Sequence, residues 1–246
     1  MNSKNEIFKN ITFVLSNTSH PGNIGSSARA IKTMGFENLT LINPEKFPDT
    51  QADALASGAK DLLEKAKVEN NFKTAIRDSQ VVIGFTARRR ELSQEHLSSV
   101  DIANKAISLA IDNNVALLFG NETSGLSNDE IQHCHYLGFI DANPKYSSLN
   151  LSQAVQIIAY ELRKNIGIPQ LDFDAREKKI ATFKEQSGFY EHLEETLKEL
   201  DFFDKVQGKR LMHRIRLMFN RIKMDEDEVN IFRGILNQIH KKIFKD

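Results

Sequence analysis

A single cysteine, Cys134, excludes an internal disulfide framework, and no cluster of metal-ligating residues occurs at the spacing zinc sites use. A buried structural thiol is its expected role. No apolar run approaches the length needed to cross a bilayer, and the opening stretch MNSKNEIFKN has no apolar signal core. A cytoplasmic protein is therefore expected, in which a glycosylation sequon such as Asn17-Thr18-Ser19 is a chance match. Net charge is missing too: 33 basic residues balance 33 acidic ones, so only the distribution of charge could argue for a nucleic-acid partner. Neither GxGxxG nor GxxxxGK followed by serine or threonine occurs, which argues against a Rossmann dinucleotide site and against a P-loop.

What is present fits one sizeable α/β domain, alone or with a small appendage: 246 residues, 40% hydrophobic and 27% charged. Short apolar runs rich in β-formers predict buried strands from Ile11 to Leu15, Leu39 to Ile42, Val81 to Phe85, Val115 to Phe119 and Tyr136 to Ile140. Helical stretches fall between them. One is capped by Ser26 or a neighbour and stopped by Gly35; another runs from Ala52 to Ala66, weakened in its middle by Gly58. Others span Asn71 to Asp78, Ile102 to Ile111 and Asn128 to Gln132. Alternation of this kind through residue 163 predicts a mostly parallel sheet covered on both faces.

Polar loops leave the strand ends, the usual edge for ligands in open α/β sheets. The loop after the first strand carries Asn17, Thr18, Ser19, Pro21, Gly22 and Gly25, and places Arg29 about one turn into the following helix. A salt bridge explains Arg29 as well as a functional role does. After the third strand come Thr86, Ala87 and the triplet Arg88-Arg89-Arg90, which reads as a solvated charge run or as a contact for an anion. The loop Gly120-Asn121-Glu122-Thr123-Ser124-Gly125-Leu126 has glycines suited to close approach of a ligand or to tight turning. Last is NPKYSSLNLSQAVQIIAYEL, from Asn143 to Leu162. There a loop fixed by Pro144 and rich in side-chain oxygens joins a helix whose apolar face is Leu151, Ala154, Val155, Ile158, Ala159 and Leu162.

Residues 165–174, with Gly167 and Pro169, read as a linker between a domain of residues 1–164 and a helical one of residues 175–246. Three helices are expected in the latter, from Ala175 to Leu200, Lys209 to Lys223 and Asp225 to Phe244, with breaks near Gly208 and Met224. Charge is segregated here. Glu191, Glu194, Glu195, Glu199 and Asp201 cluster in the first helix, whereas Lys205, Lys209, Arg210, Arg214, Arg216, Arg221 and Lys223 follow without an acidic residue among them. The basic helix is either a solvated face complementing the acidic one or a surface for RNA phosphates.

Three segments together, NIGSSAR from Asn23 to Arg29, FGNETSGL from Phe119 to Leu126 and SSLNLSQAVQIIAYE from Ser147 to Glu161, resemble the motifs of the SPOUT-class RNA 2′-O-ribose methyltransferases. The similarity is closest to the TrmJ branch, whose members methylate tRNA, and extends to VNIFRGIL from Val229 to Leu236. It implies an α/β parallel-sheet SPOUT fold with a C-terminal trefoil knot, one of the rare exceptions to unknotted topology, followed by a small all-helical C-terminal domain that binds tRNA. The resemblance also implies S-adenosylmethionine as cofactor, held by Phe85, Thr86, Ala87, Gly120, Ile140, Ser147, Ser148 and Leu149, and a homodimer with tRNA as partner. Asn23, Glu122 and Asn150 match motif positions with partly structural duties, and Arg29 matches the arginine regarded as catalytic.

The implied chemistry is displacement at a sulfonium methyl by a ribose hydroxyl at the first nucleotide of the anticodon loop. Such a reaction needs in-line positioning and help with the hydroxyl proton, and it calls for no metal. Ser148 is expected to hold the hydroxyl or the cofactor. A guanidinium is a poor base, so Arg29 suits stabilising an alkoxide better than acting as a base. Arg88, Arg90, Lys209, Arg210, Arg214 and Arg216 are the expected RNA contacts. A non-catalytic RNA-binding protein of the same fold, a methyltransferase acting on another RNA, and a nucleotide-binding α/β enzyme unrelated to RNA are the competing readings.

Overall fold

Runs such as ITFVL and VALLF form strands because β-branched and aromatic side chains fit a pleated surface that is buried on both faces. A computed structural model of the chain describes residues 2–87, 96–167, 180–203 and 207–243. In chain order its elements are α1 (Asn2–Asn10), β1 (Ile11–Ser16), α2 (Pro21–Thr33), β2 (Asn38–Ile42), α3 (Thr50–Ala56), α4 (Lys60–Glu64), β3 (Lys67–Glu69), α5 (Phe72–Ile76), β4 (Val81–Phe85), β5 (His96–Ser98), α6 (Ser99–Leu109), β6 (Val115–Phe119), α7 (Asn128–Gln132), β7 (Tyr136–Phe139) and α8 (Leu151–Ile166). Three further helices follow: α9 (Phe183–Glu199), α10 (Gln207–Ile222) and α11 (Glu226–Ile243). The sheet has seven strands in the order β3-β2-β1-β6-β4-β7-β5, and every pairing is parallel.

Successive residues of one strand serve opposite cores. Phe13 and Leu15 pack with Ile24, Ile31, Ala56, Leu62, Val155, Ile158 and Leu162 from the helices on one face, whereas Val14 joins Phe72, Ile131, Leu118 and Phe183 on the other. Cys134 is fully buried in that second core, where burial pushes its thiol up and leaves it protonated. A third core, around Phe189, Tyr190, Met224, Val229 and Leu236, unites the last helices. Among the described residues no helix is long and apolar enough to cross a membrane, and no group of His, Cys, Asp and Glu could hold a metal ion.

Several boundaries differ from the sequence expectation, each for a local reason. α2 begins at Pro21, not at a cap near Ser26, since proline suits a first helical turn whose N–H needs no intrahelical partner. Gly25, expected in the loop, lies inside α2: a Cβ there would come within 2.1 Å of the Ala52 carbonyl oxygen, so the glycine permits close packing of α2 on α3. Arg29 is consequently about two turns into the helix rather than one. The helix expected from Ala52 to Ala66 breaks at Ser57, whose φ of 52° no α-helix accommodates, and resumes as α4 after a 3-10 turn at Ser57–Ala59. β3 and β5, three residues each, were not anticipated; β3, KVE, is too short and polar to show an apolar pattern.

The helix α8 continues to Ile166, two residues into the expected linker of 165–174, most of which lies outside the described residues. The start expected at Ala175 also lies outside them, and α9 begins at Phe183 behind a capping box made by Thr182 and Glu185. The break expected near Gly208 falls just before it: α9 ends at Glu199, and Gly208 sits in the first turn of α10, against the Phe203 ring.

Candidate active site

The carboxyl ends of β4, β6 and β7 meet side by side, with Phe85 in register with Phe119 and Gly138. The Phe85 and Phe119 rings stack at 4.6 Å and an interplanar angle of 12°, giving a flat aromatic floor. Gly138 is required beneath it, because a Cβ at that position would lie 2.7 Å from the Phe85 ring. Above this floor opens a cleft of about 380 Å³, onto which Phe85, Thr86, Ala87, Gly120, Ile140, Ser147, Ser148 and Leu149 all project. Sequence reasoning thus named residues from four separate segments that the fold brings together. It missed Lys145 and Tyr146, which also line the cleft; Tyr146 is 78% exposed, and a lone exposed tyrosine carries no periodic signal.

The loop of residues 120–126 is held by its own turns. Asn121 Oδ1 accepts from the N–H of Thr123 at 2.9 Å and of Ser124 at 3.1 Å, and Gly125 adopts a φ of 68°. A Cβ on Gly120 would lie 2.2 Å from the Gly125 carbonyl carbon, so both glycines serve tight turning. In the following loop Asn143 Oδ1 accepts from the Lys145 N–H at 3.0 Å, and Asn150 caps α8 by accepting from the Ser152 N–H at 2.9 Å.

Asn23, Glu122 and Asn150, far apart in sequence, form one hydrogen-bonded chain. Asn150 Nδ2 donates to Asn23 Oδ1 at 2.9 Å, and Asn23 Nδ2 donates to Glu122 Oε1 at 2.8 Å. Glu122 also accepts from the Ser19 N–H and hydroxyl, each at 3.0 Å, and from the His20 N–H at 3.2 Å. Burial raises the Glu122 pKa, but donation from the Ser19 backbone, Asn23 and the His20 backbone outweighs it and holds the carboxyl at about 2. A permanent carboxylate therefore ties the start of α2 and the start of α8 to the loop after β6.

Arg29 is exposed on α2 and is not among the residues lining the cleft of its own chain. Arg88 and Arg90 lie outside the described residues. On α10, Lys209, Arg210 and Arg214 are exposed, whereas Arg216 is half-buried with its guanidinium 4.8 Å from the centre of the Tyr190 ring. A second cleft, about 460 Å³ and lined by Thr12, Lys32, Asp61 and Lys67 among others, lies where β1 and β2 begin, and no motif residue reaches it.

The SpoU rRNA Methylase family matches residues 10–160, over half of the chain. The chain belongs to this family. The C-terminal domain of tRNA methyltransferase TrmJ matches residues 184–246 of the same SpoU methylase. It is 42% identical over 239 residues to the tRNA (cytidine/uridine-2'-O-)-methyltransferase TrmJ of Salmonella typhimurium, spanning 96% of this chain and 98% of that protein. Among solved structures, TrmJ from Z. mobilis superimposes with a TM-score of 0.84 at 27% identity, covering 94% of this chain and 99% of the other. A probable methylase family protein from Haemophilus influenzae gives 0.62 at 38% identity, with 95% and 97% covered. The likeness of this SpoU methylase to its relatives therefore takes in the sheet and the C-terminal helices alike.

Proposed function

We propose that the chain transfers a methyl group from S-adenosylmethionine to the ribose 2′-hydroxyl of cytidine or uridine in tRNA, at the first nucleotide of the anticodon loop. The observation that carries this reading is the convergence of two motif segments, residues 119–126 and 147–154, on one cleft, with the third tied to them by the chain of hydrogen bonds through Asn23, Glu122 and Asn150. The cleft suits the cofactor in shape and chemistry: the Phe85 side, with Ile140, Leu149, Leu151 and Ala154, offers apolar walls for a purine, while loop backbone offers polar groups at its rim. When bound, the cofactor supplies an electrophilic methyl on a sulfonium. Ser148, at the cleft, orients the attacking hydroxyl by a hydrogen bond. Arg29 stabilises the developing alkoxide and grips the neighbouring phosphate.

α2 is tied to the Glu122 loop through Asn23, and Arg29 lies six residues further on, about 9 Å along the helix axis, exposed and not among the residues lining its own chain's cleft. In this reading a homodimer places it in the partner's site. The segment from β7 into α8 is the part threaded as a trefoil knot, and the protein works in the cytoplasm, where tRNA is found. The helical domain binds tRNA. Residues 1–164 and 175–246 are the two functional units, with 165–174 between them.

The assignment is tested by mass spectrometry of nucleosides from tRNA incubated with the protein and cofactor. A 2′-O-methylated pyrimidine at the start of the anticodon loop is expected; methylation only on a base, only in ribosomal RNA, or none at all would overturn it. The exposed pair Arg210 and Arg214, one turn apart on α10, gives a separate test of the RNA surface. Replacing both with glutamine is expected to weaken tRNA binding roughly tenfold at low salt and to flatten its salt dependence, with cofactor affinity unchanged. Titrations across salt concentrations read both quantities, and unchanged tRNA affinity would return α10 to a solvated face.

A further inference from the structure

Between the sheet and the helical domain lies a third cleft, of about 340 Å³, on the opposite face of the sheet from α2 and α8. Its cations come from both sides. Lys73 reaches it from α5, while Lys209, His213 and Arg216 approach from α10, where spacings of four and three residues set them on one helical face. His133, at the end of α7, closes the base. The residue is only 9% exposed, and its ring is held against Phe72 and Phe183 at centroid distances of 5.5 and 5.3 Å.

The hydrogen bonding of this cleft is incomplete. His133 Nδ1 meets the Asp129 carbonyl oxygen at 2.7 Å, yet its Nε2 is buried with no partner, and so is His213 Nδ1. Buried ring nitrogens normally find partners, and both of these belong to residues that line the one cleft, where a ligand could supply what they lack. No carboxylate pairs with Lys73, Lys209 or Arg216 among the described residues. Glu194 also borders the cleft, but it is engaged by Lys198 at 2.7 Å, which leaves Asp129 as the single unneutralised acid. The balance is cationic, and the donors are nitrogen throughout, which is the chemistry of an oxyanion site.

We propose that this interdomain cleft binds a phosphate of the tRNA backbone, clamped between Lys73 of the sheet domain and Lys209 and Arg216 of α10. The inference rests on the tRNA reading above and adds a contact from the sheet domain, on the face away from the cofactor cleft. A phosphate seated there neutralises the two cations, Arg216 and Lys73, that together with burial depress the pKa of His133, and so allows Nε2 to carry a proton and donate it. The two domains thereby read one strand as a unit.

The test uses the full chain with Lys73→Gln, Lys209→Gln and the double variant, and measures tRNA affinity across a series of salt concentrations. Both lysines are exposed, so the variants keep the fold. Each single substitution is expected to weaken binding roughly three- to tenfold and to lower the slope of log affinity against log salt by up to about one. Because both lysines hold the same phosphate, the double variant should lose clearly less than the product of the two single losses. Wild-type affinity in Lys73→Gln, or a double loss equal to that product, overturns the shared site while leaving the methyltransferase reading intact. A wild-type chain with no affinity for tRNA overturns both.

Discussion

Arg29→Ala and Ser148→Ala are each expected to reduce methyl transfer by at least roughly 100-fold, yet a purified mixed dimer of the two should recover about half of wild-type activity. The reason is positional. Ser148 lines the cleft of its own chain, whereas Arg29 is exposed on α2 beyond the point where Asn23 touches the Glu122 loop. If each site combines the cleft of one subunit with the arginine of the other, the mixed dimer contains one site with both lesions and one with neither. Co-expression with two affinity tags and sequential purification isolates it for a single-turnover assay. An inactive mixed dimer would place Arg29 in its own subunit's site or show the two sites to be coupled. A fully active wild-type monomer would remove the shared site altogether.

Glu122→Gln is expected to lower methyl transfer roughly 10- to 100-fold and to weaken cofactor binding, although Glu122 itself need not touch the reacting atoms. Glutamine keeps one acceptor but turns the other into a donor, facing either the Ser19 N–H or the N–H groups of His20 and Asn23, so part of the junction is lost. The stability cost should be about 1–2 kcal/mol, kept low because the carboxylate is only half-buried. The pH dependence follows from the depressed pKa. The folded value is about 2 and the ordinary value 4.5, so Glu122 contributes its full stability above pH 4.5 and loses it as pH falls from there through about 2. Thermal unfolding of both proteins between those limits should show a fall in the wild type that the variant lacks. Parallel curves would mean that the carboxylate contributes nothing to holding the three segments together.

The five apolar strands and the buried face of α8 were legible because a residue covered on both sides of a sheet, or on one stripe of a helix, leaves a period in the sequence. Edge strands leave none: β3 shows Lys67 and Val68 to solvent, and its pairing is set by β2 rather than by its own residues. Gly25 misled for a related reason. A glycine in a helix reads as a loop signal, but here the decisive contact is the carbonyl of Ala52, which only the folded chain brings near. The site divided along the same line. Residues at strand ends, such as Phe85 and Gly120, could be placed from the strands that carry them, whereas the Asn23–Glu122–Asn150 chain joins positions about a hundred residues apart. Each of those residues alone is an ordinary polar side chain. Only the motif resemblance singled them out, and only the fold shows what they do for one another.

Phe183, the first residue of α9, fills the second face of the sheet beside Phe72 and His133, and the N–H of the same residue donates to the Ser79 carbonyl at 3.1 Å. Asn220 of α10 likewise donates to the Gln132 carbonyl at 2.9 Å. The change in composition after residue 164 is therefore not a seam along which the molecule can be divided cleanly. A chain ended before Phe183 would expose an aromatic patch that water cannot satisfy, favouring aggregation over a freestanding catalytic half, while an isolated helical segment would lose the wall its first turn leans on. Evolution could attach such helices to this parallel sheet only by giving them part of the sheet's own interior to complete.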